Sequence, residues 1–350
     1  MKKGFKKLIA LSAVAIFALS GCGNGSVKKD FDKKTDNNQF TTETYAFIAK
    51  DIKNTYMQKI YEGFETACRK IGVTAVYKAP DSPTPEKQKT IIKELTEKNV
   101  KGIAIAANDA DLLQPELQAA MEKGIKVISL DSAVNKDSRQ LHIQQADPEQ
   151  TGRSLIRSAY DMIGGNGGIA ILTSTDQATN QNLWIDYMKK EIAENPQKYA
   201  STPIVKIAYG DDDITKSKTE TNALLQDPNI KIIIAPTAVG IVSAAEVLQK
   251  SGSDVKLTGL GMPSAMAEYI ENGICEKMFL WNPVDIGFLA GYSLNALAEN
   301  SNIGNPGATF YADRIGTMTV QAATDGGSEV VLGDLIAFDK SNIAEWKDVF

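Results

Sequence analysis

Five short segments carry the residues whose chemistry could matter, and each stands at or beyond the end of an apolar run. Lys50 follows the run 45–49, Asp131 and Ser132 follow 127–130, and Asn180 and Gln181 stand in the loop after 169–172. Pro236, Thr237 and Ala238 follow 230–235, and Trp281 and Asn282 follow 275–280. One cation, one carboxylate, several amides and an indole suit hydrogen bonding to, and stacking on, a small polyhydroxylated molecule. No nucleophile stands beside a base in this set, and Asp131 is its single acid, where glycoside cleavage needs a pair. The residues predict holding rather than cutting: a binding protein and not an enzyme, with an extracellular glycosidase as the remote alternative.

Each residue also has a plain structural reading. Lys50 could be a solvated loop lysine, Asp131 a helix cap, Asn180 and Gln181 the opening of a helix, and Trp281 part of the core. Trp184 is expected to pack on its helix, and the lone histidine, His142, to be structural. Asp211, Asp212 and Asp213 read as a solvated turn and helix start; they lack the EF-hand spacing, so calcium is not expected. Neither a metal nor a cofactor is expected.

The elements that must position these residues follow from the pattern around them. Strand-like runs at 45–49, 73–77, 102–106 and 127–130 alternate with helical periodicity at 57–71, 86–97 and 113–122. A helix at 151–163 restarts the pattern, with strands at 169–172, 204–208, 230–235 and 256–259, and helices at 182–193, 215–225, 239–250 and 264–271. Continuously apolar strands such as Ile232-Ile233-Ile234-Ala235 suit a parallel sheet covered on both faces. The expectation is an α/β protein with two doubly wound parallel-sheet lobes joined by a hinge. Ligands of open α/β sheets bind beyond the carboxyl ends of the strands, which is where the five segments fall. Residues 164–168 are a glycine-rich turn before a strand, whereas a phosphate loop follows one. The two lobes are expected at 44–145 plus 282–310 and at 146–281 plus 311–350.

With 350 residues, 43% hydrophobic, 23% charged and 7% aromatic, the composition is that of a globular chain of about two domains. A net charge of −5 argues against nucleic acid as a partner. Residues 1–21 read as an export signal, with Lys2, Lys3, Lys6 and Lys7 before an apolar stretch and Leu19-Ser20-Gly21-Cys22 resembling a bacterial lipobox. Residues 22–43 then form a polar tether with the lipid on Cys22, leaving the protein extracytoplasmic and anchored to the membrane. Cys68 and Cys275 fall in apolar positions and are expected as free buried thiols.

Taken together, these features resemble the type I periplasmic solute-binding proteins of ABC importers, and within them the autoinducer-2-binding and rhamnose-binding branch. The resemblance rests on Phe47-Ile48-Ala49-Lys50, Leu130-Asp131-Ser132, Thr179-Asn180-Gln181-Asn182-Leu183-Trp184, Ile234-Ala235-Pro236-Thr237-Ala238 and Leu280-Trp281-Asn282-Pro283. In the autoinducer-2 receptors a lysine, two aspartates, a glutamine, a proline carbonyl and an alanine amide hold the ligand. Lys50, Asp131, Gln181, Pro236 and Ala238 match that set, while Asn180 stands where an aspartate would be expected and so weakens one charge-assisted contact. The resemblance implies a monomer that captures a small sugar-like ligand and passes it to a membrane permease. Autoinducer-2 is the favoured ligand, with rhamnose or another deoxy-sugar or pentose as the alternative.

Overall fold

The structure, a computed structural model, describes residues 43–350. The expected export signal, Cys22 and the expected tether up to residue 42 lie outside the described residues. The chain runs β1 (Thr44–Ile48), α1 (Thr55–Ile71), β2 (Thr74–Lys78), α2 (Pro85–Glu97), β3 (Gly102–Ile105), α3 (Gln114–Glu122), β4 (Lys126–Leu130) and β5 (Leu141–Ala146). It continues through α4 (Pro148–Met162), β6 (Gly168–Thr173), α5 (Thr179–Glu194), β7 (Ile204–Tyr209), α6 (Ile214–Leu224), β8 (Ile230–Ala235), α7 (Ala238–Ser251), β9 (Lys256–Gly259), α8 (Pro263–Glu271) and β10 (Lys277–Leu280). It ends with α9 (Pro283–Glu299), β11 (Thr309–Tyr311), β12 (Thr317–Thr319), β13 (Gln321–Ala322), β14 (Ser328–Gly333), β15 (Ile336–Asp339) and α10 (Ile343–Trp346).

Two sheets organise these elements. The first has the order β13-β14-β5-β4-β3-β1-β2 and is parallel except for β13. The second has the parallel order β7-β6-β8-β9. Parallel bridges Leu257–Cys275 and Leu260–Phe279 set β10 beside β9, and β15 pairs antiparallel with β10. In β8 every residue but Lys231 is buried, as helices on both faces of a parallel sheet require.

The chain crosses between the sheets three times: from β5 to α4, from β10 to α9, and from β14 to β15. The third crossing corrects the expected boundary at residue 311. β13 and β14 pair inside the first sheet, so residues 321–333 lie with that sheet and the chain returns to the second only between Gly333 and Ile336. β5 is likewise absent from the expected strands, because His142, Gln144 and Gln145 interrupt its hydrophobic run although all three are buried.

One helix pair fixes the geometry near the future site. Asn54 caps α1 by accepting from the Tyr56 and Met57 amides, and the left-handed Gly72 ends it. Its buried face, Met57, Ile60, Phe64, Ala67 and Cys68, has helical spacing. Opposite lies α9, and the two touch backbone to backbone. A Cβ on Gly63 would stand 1.8 Å from the Val284 carbonyl oxygen, and one on Gly287 would stand 1.7 Å from that of Ile60. This close approach holds the start of α9, and hence Trp281 just before it, against the start of α1.

Cys68 and Cys275 are free and buried, as expected, and burial pushes each thiol up to about 12. Among the described residues, no helix is long and apolar enough to cross a membrane.

Candidate functional site

Lys50, Asp131, Asn180, Gln181, Pro236, Ala238 and Trp281 all line one cavity. The strand ends explain the convergence. Lys50 and Asp131 leave the carboxyl ends of β1 and β4 in the first sheet. Asn180 and Gln181 open α5 after β6, and Pro236 and Ala238 connect β8 to α7, facing them from the second. Trp281 lies on the crossing between β10 and α9. The space left inside is ≈ 40 Å³, room for a few waters at about 10–15 Å³ each.

Asp131 is the most heavily engaged of these groups. Its Oδ2 lies 3.2 Å from Lys50 Nζ, while Oδ1 accepts from Gln145 Nε2 at 3.1 Å and from the Tyr56 hydroxyl at 3.3 Å. Its backbone has φ = 60°, in the left-handed region that aspartate tolerates better than most residues. Tyr56 accepts in turn from Trp281 Nε1 at 2.7 Å, and burial together with the Asp131 charge raises its hydroxyl well above the usual tyrosine range. The Trp281 ring lies 5.6 Å from that of Trp184, centre to centre.

A second chain of bonds crosses the cleft. Lys50 Nζ donates to Ser132 Oγ at 2.5 Å, and Ser132 Oγ donates to Asn180 Oδ1 at 3.0 Å. Beside it the Ala133 amide donates to Thr179 Oγ1 at 3.1 Å. Gln181 is anchored through Oε1, which accepts from Thr173 Oγ1 at 2.6 Å and from the Ser174 amide at 2.9 Å, leaving its Nε2 as the donor toward the cavity. Thr237 stands at the cap of α7 but makes no side-chain cap bond. The Ala238 amide, the first of α7, is therefore left as a donor at the cavity wall.

Beyond the aliphatic Met57, Leu260 and Leu280, four lining residues were not expected. Tyr56 and Asn54 sit in and before the first turn of α1, where no strand end marks them. Trp184, expected only to pack, lines the cavity on α5, and its buried Nε1 has no partner among the described residues. Asp212, expected in a solvated turn, also lines it. Burial raises its carboxyl above the ordinary range, against the opposing pull of the Lys50 charge from the other lobe. Asp131 is therefore not the only carboxylate at the cleft. His142 stands apart from this cavity, buried between Ser129 Oγ (2.9 Å from Nδ1) and Gln144 Oε1 (3.2 Å from Nε2). Among the described residues, no group of His, Cys, Asp and Glu could hold a metal ion.

Two facing parallel-sheet lobes with polar strand ends meeting in the cleft are matched by a known family. The periplasmic binding protein domain model matches residues 45–302. The chain belongs to the periplasmic binding protein family. Its fold is the type I form, with two parallel-sheet lobes, and the family holds solutes rather than transforming them. This binding protein is 43% identical to an ABC transporter solute-binding protein from Clostridium phytofermentas, solved with bound L-rhamnose. That match covers 89% of this chain and 99% of the other, with a TM-score of 0.85. It is 26% identical over 274 residues, 75% of this chain and 86% of the other, to the D-allose-binding periplasmic protein of Escherichia coli (strain K12). A protein from Clostridium saccharobutylicum solved in complex with AI-2 is 22% identical with a TM-score of 0.81, covering 87% of this chain and 99% of that one. At that identity it shares the fold.

Proposed function

We propose that this protein is the extracytoplasmic sugar-binding component of an ABC importer and that its ligand is L-rhamnose or a closely related deoxy-sugar. The observation that carries the reading is the 43% identity, over nearly the full length of both chains, to a protein holding L-rhamnose. Support moves from AI-2, favoured on the sequence, to the alternative, because the AI-2 complex stands at 22% identity. The cavity chemistry fits a deoxyhexose. The Trp281 and Trp184 indoles offer apolar surface to a ring face or methyl group. Lys50, the Gln181 amide, Trp184 Nε1 and the Ala238 amide offer donors to hydroxyl oxygens, and Asp131 offers an acceptor.

In this reading Lys50, Asp131, Asn180, Gln181, Pro236, Ala238 and Trp281 grip the sugar as the lobes close, and a membrane permease receives it. The lipid on Cys22 and the tether to residue 43 keep the protein beside that permease. Mass spectrometry of small molecules released from the purified, undialysed protein tests the ligand. The reading predicts a deoxyhexose of the mass of rhamnose; a protein loaded with AI-2 or with an amino acid contradicts it.

A further inference from the structure

The three consecutive aspartates after β7 divide their work. Asp211 pairs with Lys216 Nζ at 2.5 Å, and Asp213 caps α6 by accepting from the Lys216 amide at 2.8 Å. Asp212 does neither. Asp211 and Asp212 both take left-handed backbone, with φ of 54° and 51°, and this tight turn brings Asp212 to the wall of the ligand cavity.

Its partner there is unusual. Thr237 occupies the cap position of α7, where a threonine ordinarily bonds the helix's own amides. It makes no such bond and donates its hydroxyl to Asp212 Oδ1 instead. The Thr237 hydroxyl thus holds one carboxylate oxygen in place, and Oδ2 has no partner among the described residues. Asn180 complements this, since its Oδ1 already accepts from Ser132 Oγ and from the Gln181 amide, so it presents only its NH₂ as a free donor. The second lobe would otherwise offer the cavity donors and no charged acceptor.

We propose that Asp212 is a specificity-determining ligand contact: its carboxylate accepts a sugar hydroxyl from the second lobe, supplying the acceptor that Asn180 does not. This rests on the sugar-binding reading above. Asp131 and Asp212 then approach the ligand from opposite lobes, and Lys50 balances both. The site selects neutral polyols with hydroxyls able to donate toward both lobes, and disfavours anionic sugars that would meet two carboxylates. The half-buried position of Asp212 at the cavity wall lets a ligand hydroxyl that reaches Oδ2 take the place of water lost from it.

The test is a titration of wild type, Asp212→Asn, Asp212→Gly and Asp211→Asn with L-rhamnose, read by tryptophan fluorescence because Trp184 and Trp281 line the cavity. Asparagine and glycine both accept the left-handed backbone, so thermal melts should find all four proteins folded. The expected result is that Asp212→Asn and Asp212→Gly each weaken L-rhamnose binding roughly 10-fold or more while Asp211→Asn leaves it unchanged. Asp212 variants that bind as tightly as wild type overturn the proposal and leave the sugar-binding reading standing. Wild type that binds neither L-rhamnose nor other neutral monosaccharides overturns both.

Discussion

Trp281 Nε1 donates to the Tyr56 hydroxyl at 2.7 Å, linking the crossing that leaves the second sheet to the first turn of α1. The same hydroxyl donates to Asp131 Oδ1, so an inter-sheet connection, a helix start and the principal carboxylate of the cavity form one hydrogen-bonded unit. All three residues are buried. Such a unit is worth most when complete, because a buried donor without an acceptor pays its full desolvation penalty.

Tyr56→Phe should accordingly destabilise the protein by about 1–3 kcal/mol, the usual cost of leaving a buried polar group unpaired. In a Trp281→Phe background the same change should cost less, because the stranded donor is gone. Urea melts of the four proteins in this cycle measure the coupling, and a coupling of zero would show that the bond carries no stability.

Gly63→Ala should be among the most damaging single methyl additions in the chain. The new Cβ would fall 1.8 Å from the Val284 carbonyl oxygen, and backbone cannot swing aside as a side chain can. A loss of about 1–3 kcal/mol or more is expected. Gly72→Ala is a different case, since nothing lies near its Cβ and its cost should come from the left-handed backbone alone. Denaturant midpoints compare them; equal effects would argue against the tight α1–α9 contact.

Burial, aided by the nearby Arg139 charge, pushes His142 from 6.5 down to about 3. The unfolded chain therefore binds one more proton than the folded chain between those values. Stability from this group is complete above pH 6.5 and falls as the pH drops toward 3. At about 1.4 kcal/mol per pH unit, wild type should lose about 2–3 kcal/mol from His142 between pH 6.5 and 4.5. His142→Gln should lose that much less over the same interval in urea melts, whereas parallel pH slopes would contradict the burial argument.

The strand ends were legible because a parallel sheet announces itself as apolar runs, and whatever polar residue follows such a run faces the carboxyl edge. Lys50, Asp131 and Pro236 could be found that way. Asp212 could not: a run of three aspartates looks solvated, and only the position of β7 beside β6 and the donation from Thr237 single out the middle one. Trp184 lies on a helix stripe that reads as core, and it is buried as a core residue would be while still touching the cavity. β14 pairs with β5 across nearly two hundred residues of chain, a contact that local pattern does not carry.

Cys22→Ser should abolish lipid attachment and leave the protein secreted or held as precursor. Metabolic labelling with a fatty acid reads this directly. Label retained by the Cys22→Ser protein would show that the lipobox reading is wrong.

The central claim is that the Lys50–Asp131 end of the cavity grips L-rhamnose, and calorimetric titration of wild type and Asp131→Asn tests it most directly. Asparagine tolerates the left-handed backbone at this position, so the substitution removes the charge with little strain. Hydrogen bonds to a charged group contribute about 1.5–3 kcal/mol, so the account predicts one L-rhamnose per wild-type chain and binding roughly 10- to 150-fold weaker in Asp131→Asn. Wild type that takes up no L-rhamnose, or an Asp131→Asn protein that binds it as tightly as wild type, would contradict the account.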